Sequence, residues 1–87
     1  MFYVYYIKSI SHPEKTYVGF TQNLKQRVAE HNSGKSIYTS QFKPWTIIGF
    51  FGFNQEINAR RFEKYLKTNA GKLFLKRHFN EENNDIS

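Results

Sequence analysis

The side chains best suited to chemistry in this sequence are two tyrosines, an arginine and a histidine in its N-terminal half. Tyr5 and Tyr17 each lie in a short apolar stretch, and Arg27 and His31 follow them in a more polar segment. None of the four is a carboxylate, so together they suit an anionic substrate better than a cationic one. What they can do depends on the elements that position them.

A hairpin followed by a helix would bring these residues together. Residues 2–8 and 15–20 are aromatic and β-branched, and the segment between them contains serine and proline. This pattern predicts two antiparallel strands joined by a turn. Because side chains alternate along a strand, Tyr5 and Tyr17 are selected as the pair that faces a common site.

The next segment predicts a helix that turns its arginine toward the protein. Thr21 or Asn23 can cap a helix that runs to about residue 32, where Ser33-Gly34 ends it. At 100° per residue, Arg27 and His31 fall on the same stripe as the apolar residues of this helix. Burying a guanidinium is costly unless an anionic group lies nearby.

The second half of the chain predicts one further strand and two helices. Residues 34–44 are polar and irregular, and residues 45–53 form a strand that is apolar on both faces, which predicts a central or doubly covered position. A helix is expected from Asn54 to about Asn69, then a break at Ala70-Gly71 and a last short helix to Phe79.

These elements predict an α+β fold. The order is β-β-α-β-α-α, with a small antiparallel three-stranded sheet flanked by helices. We expect a single domain over residues 1–80 and a flexible acidic tail over residues 81–87. With no cysteine, disulfides and thiolate zinc sites are excluded, so the aromatic residues, 18% of the chain, must supply the core.

The charge of the chain favours an anionic partner. The sequence carries 13 lysines and arginines against 7 aspartates and glutamates, a net charge of +6 and an isoelectric point of about 9.7. Three of the acids lie in the last seven residues, so residues 1–80 have a net charge of +9. A basic body of this kind indicates nucleic acid, with a merely basic soluble protein as the alternative.

The apolar stretches occur in the order and at the spacing of the motifs of a known nuclease superfamily. Tyr3-Val4-Tyr5 stands at the first motif, and Tyr17-Val18-Gly19, after eleven intervening residues, stands at the second. Residues 24–32 are similar to the family's helix with an arginine and a histidine. Residues 59–67 are similar to the later helix with one glutamate, here Glu63.

The chain therefore resembles the GIY-YIG nuclease superfamily. Its compact length is similar to that of small stand-alone bacterial members, which resemble the N-terminal domain of the excinuclease C protein. One departure is that tyrosine replaces the glycine at the first position of the first motif. The resemblance implies hydrolysis of phosphodiester bonds in DNA, with RNA as an alternative substrate, and a place in DNA repair.

The resemblance also implies a role for each site residue. Tyr17 would be the general base on the attacking water, and Tyr5 would hydrogen-bond to that water or to the phosphate. Arg27 would bind a non-bridging phosphate oxygen, and His31 would assist by a hydrogen bond or proton transfer. Glu63 would hold one Mg²⁺ or Mn²⁺ ion with waters and substrate phosphate. A phenol, with an ordinary pKa of about 10, needs nearby positive charge to serve as a base.

Further residues are candidates for contact with the nucleic-acid backbone. They lie on the loop after the first helix and on the basic face of the Glu63 helix: Lys35, Tyr38, Lys43, Arg60, Lys64 and Lys67. Each has a structural alternative, since the loop can be a solvated connector and the helix face an ordinary charged surface. Likewise Glu63 can simply pair with Lys67 four residues later, and the two tyrosines can simply pack the hairpin.

Other functions remain open at this point. A non-catalytic nucleic-acid-binding module would keep the same fold and basic surface, and a protein-interaction domain would use its surface aromatics. No apolar run approaches the ~20 residues of a membrane span, and the N-terminus lacks the basic region of a signal peptide, so we expect a cytoplasmic protein. We expect a monomer or weak homodimer, with a partner protein for targeting.

Overall fold

The computed structural model describes residues 1–79 and confirms the predicted α+β fold. The expected acidic tail over residues 81–87 lies outside the described residues. Within residues 1–79 the elements are three strands and four helices: β1 Phe2–Ser9, β2 Thr16–Thr21, α1 Leu24–Ser33, α2 Ile37–Ser40, β3 Trp45–Phe53, α3 Glu56–Leu66 and α4 Asn69–Phe79.

The three strands form one antiparallel sheet in the order β2-β1-β3. The central strand is therefore β1, and the expectation that residues 45–53 form a central or doubly covered strand is wrong. Strand β3 is an edge strand, on which Phe50 is 53% and Ile47 40% exposed. An apolar run marked a strand but could not show that some of its side chains remain in solvent.

Helices pack on both faces of the sheet. On one face, Val4 of β1 packs with Ala59 and Leu66 of α3 and Leu75 of α4, and phenylalanines surround them. On the other face, a smaller cluster contains the buried residues Tyr5, Ile7 and Trp45, with side chains of α1 against it. Successive residues of β1 thus serve different layers, as strand alternation requires.

The α1 helix begins and ends where the sequence predicts. The Asn23 side chain accepts a hydrogen bond from the Gln26 backbone N–H at 3.1 Å, so it is the N-terminal cap. At the other end, Gly34 has a φ of 87° and its N–H bonds the Glu30 carbonyl. The segment that follows is not wholly irregular as expected, because residues 37–40 form the short helix α2.

The break between the last two helices lies earlier than predicted. It falls at Lys67 and Thr68, and α4 begins at Asn69. The Thr68 hydroxyl accepts a hydrogen bond from the Gly71 N–H at 3.1 Å. Gly71 is a buried contact point, since a Cβ there would collide with the backbone of Tyr65 and Leu66. This glycine permits close approach of two helices and does not end one.

No helix within residues 1–79 has both the length and the apolar character needed to cross a membrane.

Candidate active site

The centre of the site is Tyr5, which is only 1% exposed on the α1 face of the sheet. It pairs with Gly19 across the β1–β2 ladder. A Cβ on Gly19 would collide with the hydroxyl and ring of Tyr5, so the ring lies directly over the β2 backbone. The glycine of the second motif therefore makes room for the tyrosine of the first.

Tyr5 begins a buried chain of hydrogen bonds. Its hydroxyl lies 2.7 Å from His31 Nε2, and His31 Nδ1 lies 2.8 Å from the Thr39 hydroxyl. The Thr39 carbonyl in turn accepts a hydrogen bond from the Trp45 indole at 2.8 Å. His31 and Thr39 are both fully buried. This chain joins β1, α1, α2 and β3, and it holds both His31 ring nitrogens inside the protein.

The proton positions in this chain follow from burial and charge. Burial raises the pKa of Tyr5 to about 12, against a smaller opposing effect of Arg27, so the phenol keeps its proton. Burial, followed by the Arg27 charge, lowers the pKa of His31, so the imidazole is neutral. A guanidinium can only donate, so Arg27 favours the lone pairs of the Tyr5 oxygen. The phenol then donates to Nε2, and Nδ1 donates to Thr39.

Tyr17 lies at the open side of this cluster. It is half-buried, and its ring centroid is 5.2 Å from that of His31 and 6.3 Å from that of Tyr5. On its outer side the exposed Tyr38 ring lies 6.3 Å away. The predicted meeting of two phenols, an imidazole and a guanidinium is therefore observed, with Tyr17 the more accessible phenol.

Arg27 lies beside Tyr5 but is less buried than its position on the apolar stripe of α1 predicts. Its side chain is 35% exposed, and Nη1 donates to Glu30 Oε1 at 2.9 Å. Hydrogen bonding to Glu30 is the main cause that raises the pKa of Arg27, and the same bond lowers the pKa of Glu30. The anionic neighbour that the sequence required is thus a glutamate from the same helix.

Glu63 is linked to Tyr17 through Lys67. It lies on α3, on the face opposite Tyr5, and its side chain is 19% exposed. Its Oε2 accepts a hydrogen bond from Lys67 at 3.2 Å, and Lys67 Nζ lies 6.0 Å from the Tyr17 ring centroid. The Glu63 charge contributes weakly to raising the pKa of Tyr5. Among residues 1–79, no hydrogen bond joins Glu63 directly to either phenol.

The donor set fits a hydrated divalent cation better than a cage of protein ligands. No group of three or more histidine, aspartate, glutamate or cysteine side chains within the described residues could hold a metal. Glu63 is a partly exposed carboxylate that is linked to Tyr17 through Lys67. Mg²⁺ keeps several waters and commonly binds through one or two carboxylates and substrate phosphates. A single glutamate therefore suffices for that mode of binding.

The predicted backbone-binding residues separate into different regions. Tyr38 and Lys67 lie next to Tyr17. Arg60 instead lies over the Phe20 ring at 3.9 Å and pairs with Glu56 at 3.2 Å. The remaining three are exposed: Lys35 and Lys43 on either side of α2, and Lys64 in the last turn of α3.

Two supporting residues were not predicted. The bond of Thr39 to His31 gave no signal, since Thr39 sits in a polar segment eight residues from that histidine. The contact of Gly19 with Tyr5 had a weak signal, because glycine inside a strand often marks close approach.

The sequence is similar to proteins of one known family. A model of the GIY-YIG catalytic domain matches residues 1–80. The chain belongs to the GIY-YIG family. A UPF0213 protein of Staphylococcus haemolyticus is 33% identical over 75 residues, which cover 85% of this chain and 89% of that protein. This confirms the expected family and its small bacterial homologues.

GIY-YIG relatives with endonuclease names match over a smaller part of their length. A structure-specific endonuclease subunit SLX1 of Candida dubliniensis is 35% identical over 86 residues, 91% of this chain and 29% of that protein. An SLX1 homologue of Giardia intestinalis is 35% identical over 60 residues, 64% of this chain and 17% of that protein. The chain thus spans less than a third of these relatives. The catalytic-domain match and the relatives' names support an enzyme of the endonuclease type.

Proposed function

We propose that this GIY-YIG protein is an endonuclease that hydrolyses phosphodiester bonds in nucleic acid, with DNA preferred over RNA. The observation that carries the proposal is the convergence of Tyr5, Tyr17, His31 and Arg27 at one site that Glu63 approaches through Lys67. Each residue alone has an ordinary structural explanation. Their convergence from three elements of the fold has none as simple.

Tyr17 acts as the general base on the attacking water. It is the accessible phenol of the pair, and Lys67 supplies a cation 6.0 Å from its ring. Tyr5 cannot fill this role, because burial raises its pKa to about 12 and its proton is engaged with His31.

Tyr5 and His31 are positioning residues in this mechanism. Both are buried, and both ring nitrogens of His31 are held within the protein, so neither group presents a free proton to substrate. Their rings form the rigid surface against which Tyr17 packs, and they hold Arg27 at the site. This refines the sequence expectation, in which His31 assisted by a hydrogen bond or by proton transfer.

Arg27 binds a non-bridging oxygen of the scissile phosphate. With Nη1 on Glu30, its remaining N–H donors are oriented and one third of the side chain is exposed. Holding one edge of the planar group restricts the other edge, so less freedom is lost when phosphate binds. Glu63 would hold one Mg²⁺ or Mn²⁺ ion, which when bound stabilises negative charge on the leaving oxygen.

The test is cleavage of labelled single-stranded, duplex and branched DNA, and of RNA, by the wild type and Glu63→Gln with Mg²⁺ or Mn²⁺. Charge stabilisation by a metal is worth several kcal/mol, so we expect Glu63→Gln to cut on the order of a hundredfold more slowly. The matched control is Glu56→Gln, because Glu56 and Glu63 lie on α3 and each accepts from a basic residue four positions later at 3.2 Å.

Each outcome of this test has a separate meaning. Equal cleavage by the wild type and Glu63→Gln would refute the role of Glu63. Equal loss in Glu63→Gln and Glu56→Gln would show that the helix surface matters and not the site. Failure of the wild type to cut any substrate would favour the alternative, a non-catalytic nucleic-acid-binding module.

We also propose a cytoplasmic setting, a role in DNA repair and a partner protein that directs the domain to its substrate. The Candida dubliniensis and Giardia intestinalis relatives are named as subunits of structure-specific endonucleases. Gel filtration would distinguish a monomer from the weak homodimer that the exposed β3 edge could form.

A further inference from the structure

An open groove of about 910 Å³ is lined by Tyr17 and by further residues of β1, β2 and α4. Four lysines line it, and one of them is already part of the site: Lys8, Lys67, Lys72 and Lys76. One glutamate, Glu14, also lines the groove. Three of these lysines were not among the residues that the sequence analysis selected. The groove is strongly cationic and continuous with the candidate site.

Aromatic rings accompany the lysines at the end nearest the site. Tyr17 and Tyr38 both line the groove, and their ring centroids lie 6.3 Å apart. Tyr38 is 47% exposed, and its ring lies 5.6 Å from that of Phe42, which extends the row. Exposed rings beside a cationic channel are the combination that binds unpaired bases and their backbone together.

We propose that this groove binds a single-stranded segment of the nucleic acid next to the scissile phosphate. The lysines contact successive phosphates, and the bases stack on Tyr38 and the rings beside it. The substrate is then a nucleic acid that has unpaired nucleotides at the cleavage point, such as a strand end or a junction. The inference deepens the proposed function and rests on it for the position of the scissile bond.

The combination of lysines and an exposed ring favours a single strand over the other polyanions. The lysines can contact a nucleic-acid backbone, and the exposed Tyr38 ring can stack on a base only where that base is unpaired. The bases of a duplex stay stacked on one another. An acidic peptide could use the lysines but would have no bases to stack on Tyr38.

The test is equilibrium binding of a labelled oligothymidylate, and of the matching duplex, in a Glu63→Gln background that slows turnover. The groove variant is Lys72→Ala/Lys76→Ala, and the control is Arg61→Ala/Arg77→Ala. Both pairs remove two positive charges from exposed positions on α3 or α4, but only the first pair lines the groove. Thermal unfolding of each variant checks that the fold is retained.

We expect the groove variant to weaken single-strand binding and to flatten its dependence on salt. Each lost phosphate contact lowers the slope of log affinity against log salt by about 0.7 for single strands, or about 1.4 for two lysines. A slope difference of about 1.4 means that the ratio of wild-type to variant affinity increases on the order of 25-fold when the salt concentration is lowered tenfold. Tyr38→Ala should weaken single-strand binding without changing the salt slope. Tyr38→Phe keeps the ring and should bind as tightly as the wild type.

Three results would overturn the inference. They are an equal loss in the groove and control variants, an equal loss for duplex and single strand, and effective competition by polyglutamate at matched charge. Because binding is measured without cleavage, failure of the proposed hydrolysis leaves this result interpretable. Conversely, unchanged binding in the groove variant would refute this inference without affecting the cleavage test of Glu63→Gln.

Discussion

The sharpest structural test is Tyr5→Phe, which removes one oxygen from the floor of the site. The ring remains, so its packing over Gly19 is kept. The substitution deletes the 2.7 Å hydrogen bond to His31 Nε2 and leaves that nitrogen unpaired in a fully buried side chain. An unsatisfied buried polar group costs about 1–3 kcal/mol. We therefore expect the free energy of unfolding to fall by that amount.

The assay is thermal and urea unfolding followed by circular dichroism. For a domain of this size, each kcal/mol corresponds to roughly 4–8 °C in Tm. The control is Tyr65→Phe, because Tyr65 is 41% exposed and substitutions at such positions usually change stability by about 0.5 kcal/mol or less. A Tyr5→Phe loss no larger than that of Tyr65→Phe would refute the buried chain of hydrogen bonds.

Two further predictions concern the same cluster. Gly19→Ala should lower the free energy of unfolding more than Tyr5→Phe does, because the new Cβ must displace the buried Tyr5 ring. A wild-type free energy of unfolding, measured in urea, would contradict this contact. The pKa of His31 is lowered in the folded protein, so the unfolded chain takes up a proton at this residue first as the pH falls. The free energy of unfolding should therefore be unaffected by His31 above its ordinary pKa of 6.5 and should decrease from there toward the folded pKa. The slope should be at most about 1.4 kcal/mol per pH unit. Urea unfolding at a series of pH values at and below 6.5 measures this slope. His31→Gln should remove the slope, and His12→Gln, a control at an exposed position, should keep it. An unchanged slope in His31→Gln would assign the pH dependence to another group.

Local patterns predicted the parts of the site that lie close together in sequence. The hairpin and α1 follow from β-branched runs, a capping asparagine and a terminating glycine, and these place Tyr5, Tyr17 and Arg27 near one another. The complete burial of His31 did not follow, because its partner Thr39 belongs to a helix of four residues with no periodic signal.

The position of Glu63 depends on a longer-range arrangement. It lies on α3, in the helix layer on the opposite face, and no local pattern predicts that Lys67 at the end of this helix lies beside Tyr17 of β2. The family resemblance selected the residue, whereas its position depends on how α3 packs on the sheet. The edge position of β3 was missed for the same reason, since hydropathy does not encode which strand is central.

The register between β1 and β2 has a consequence for quality control of the protein. Tyr5 faces Gly19 and Tyr6 faces Val18 in the observed ladder. A slip of one residue would exchange the faces of every side chain on the slipped strand, moving a valine into the place of Tyr17 while keeping the strand paired. Such a molecule would keep its helices and much of its spectrum yet would lack the Tyr17 phenol beside Tyr5 and His31. If Tyr17 is the proposed base, specific activity would therefore report a misaligned fraction that circular dichroism overlooks.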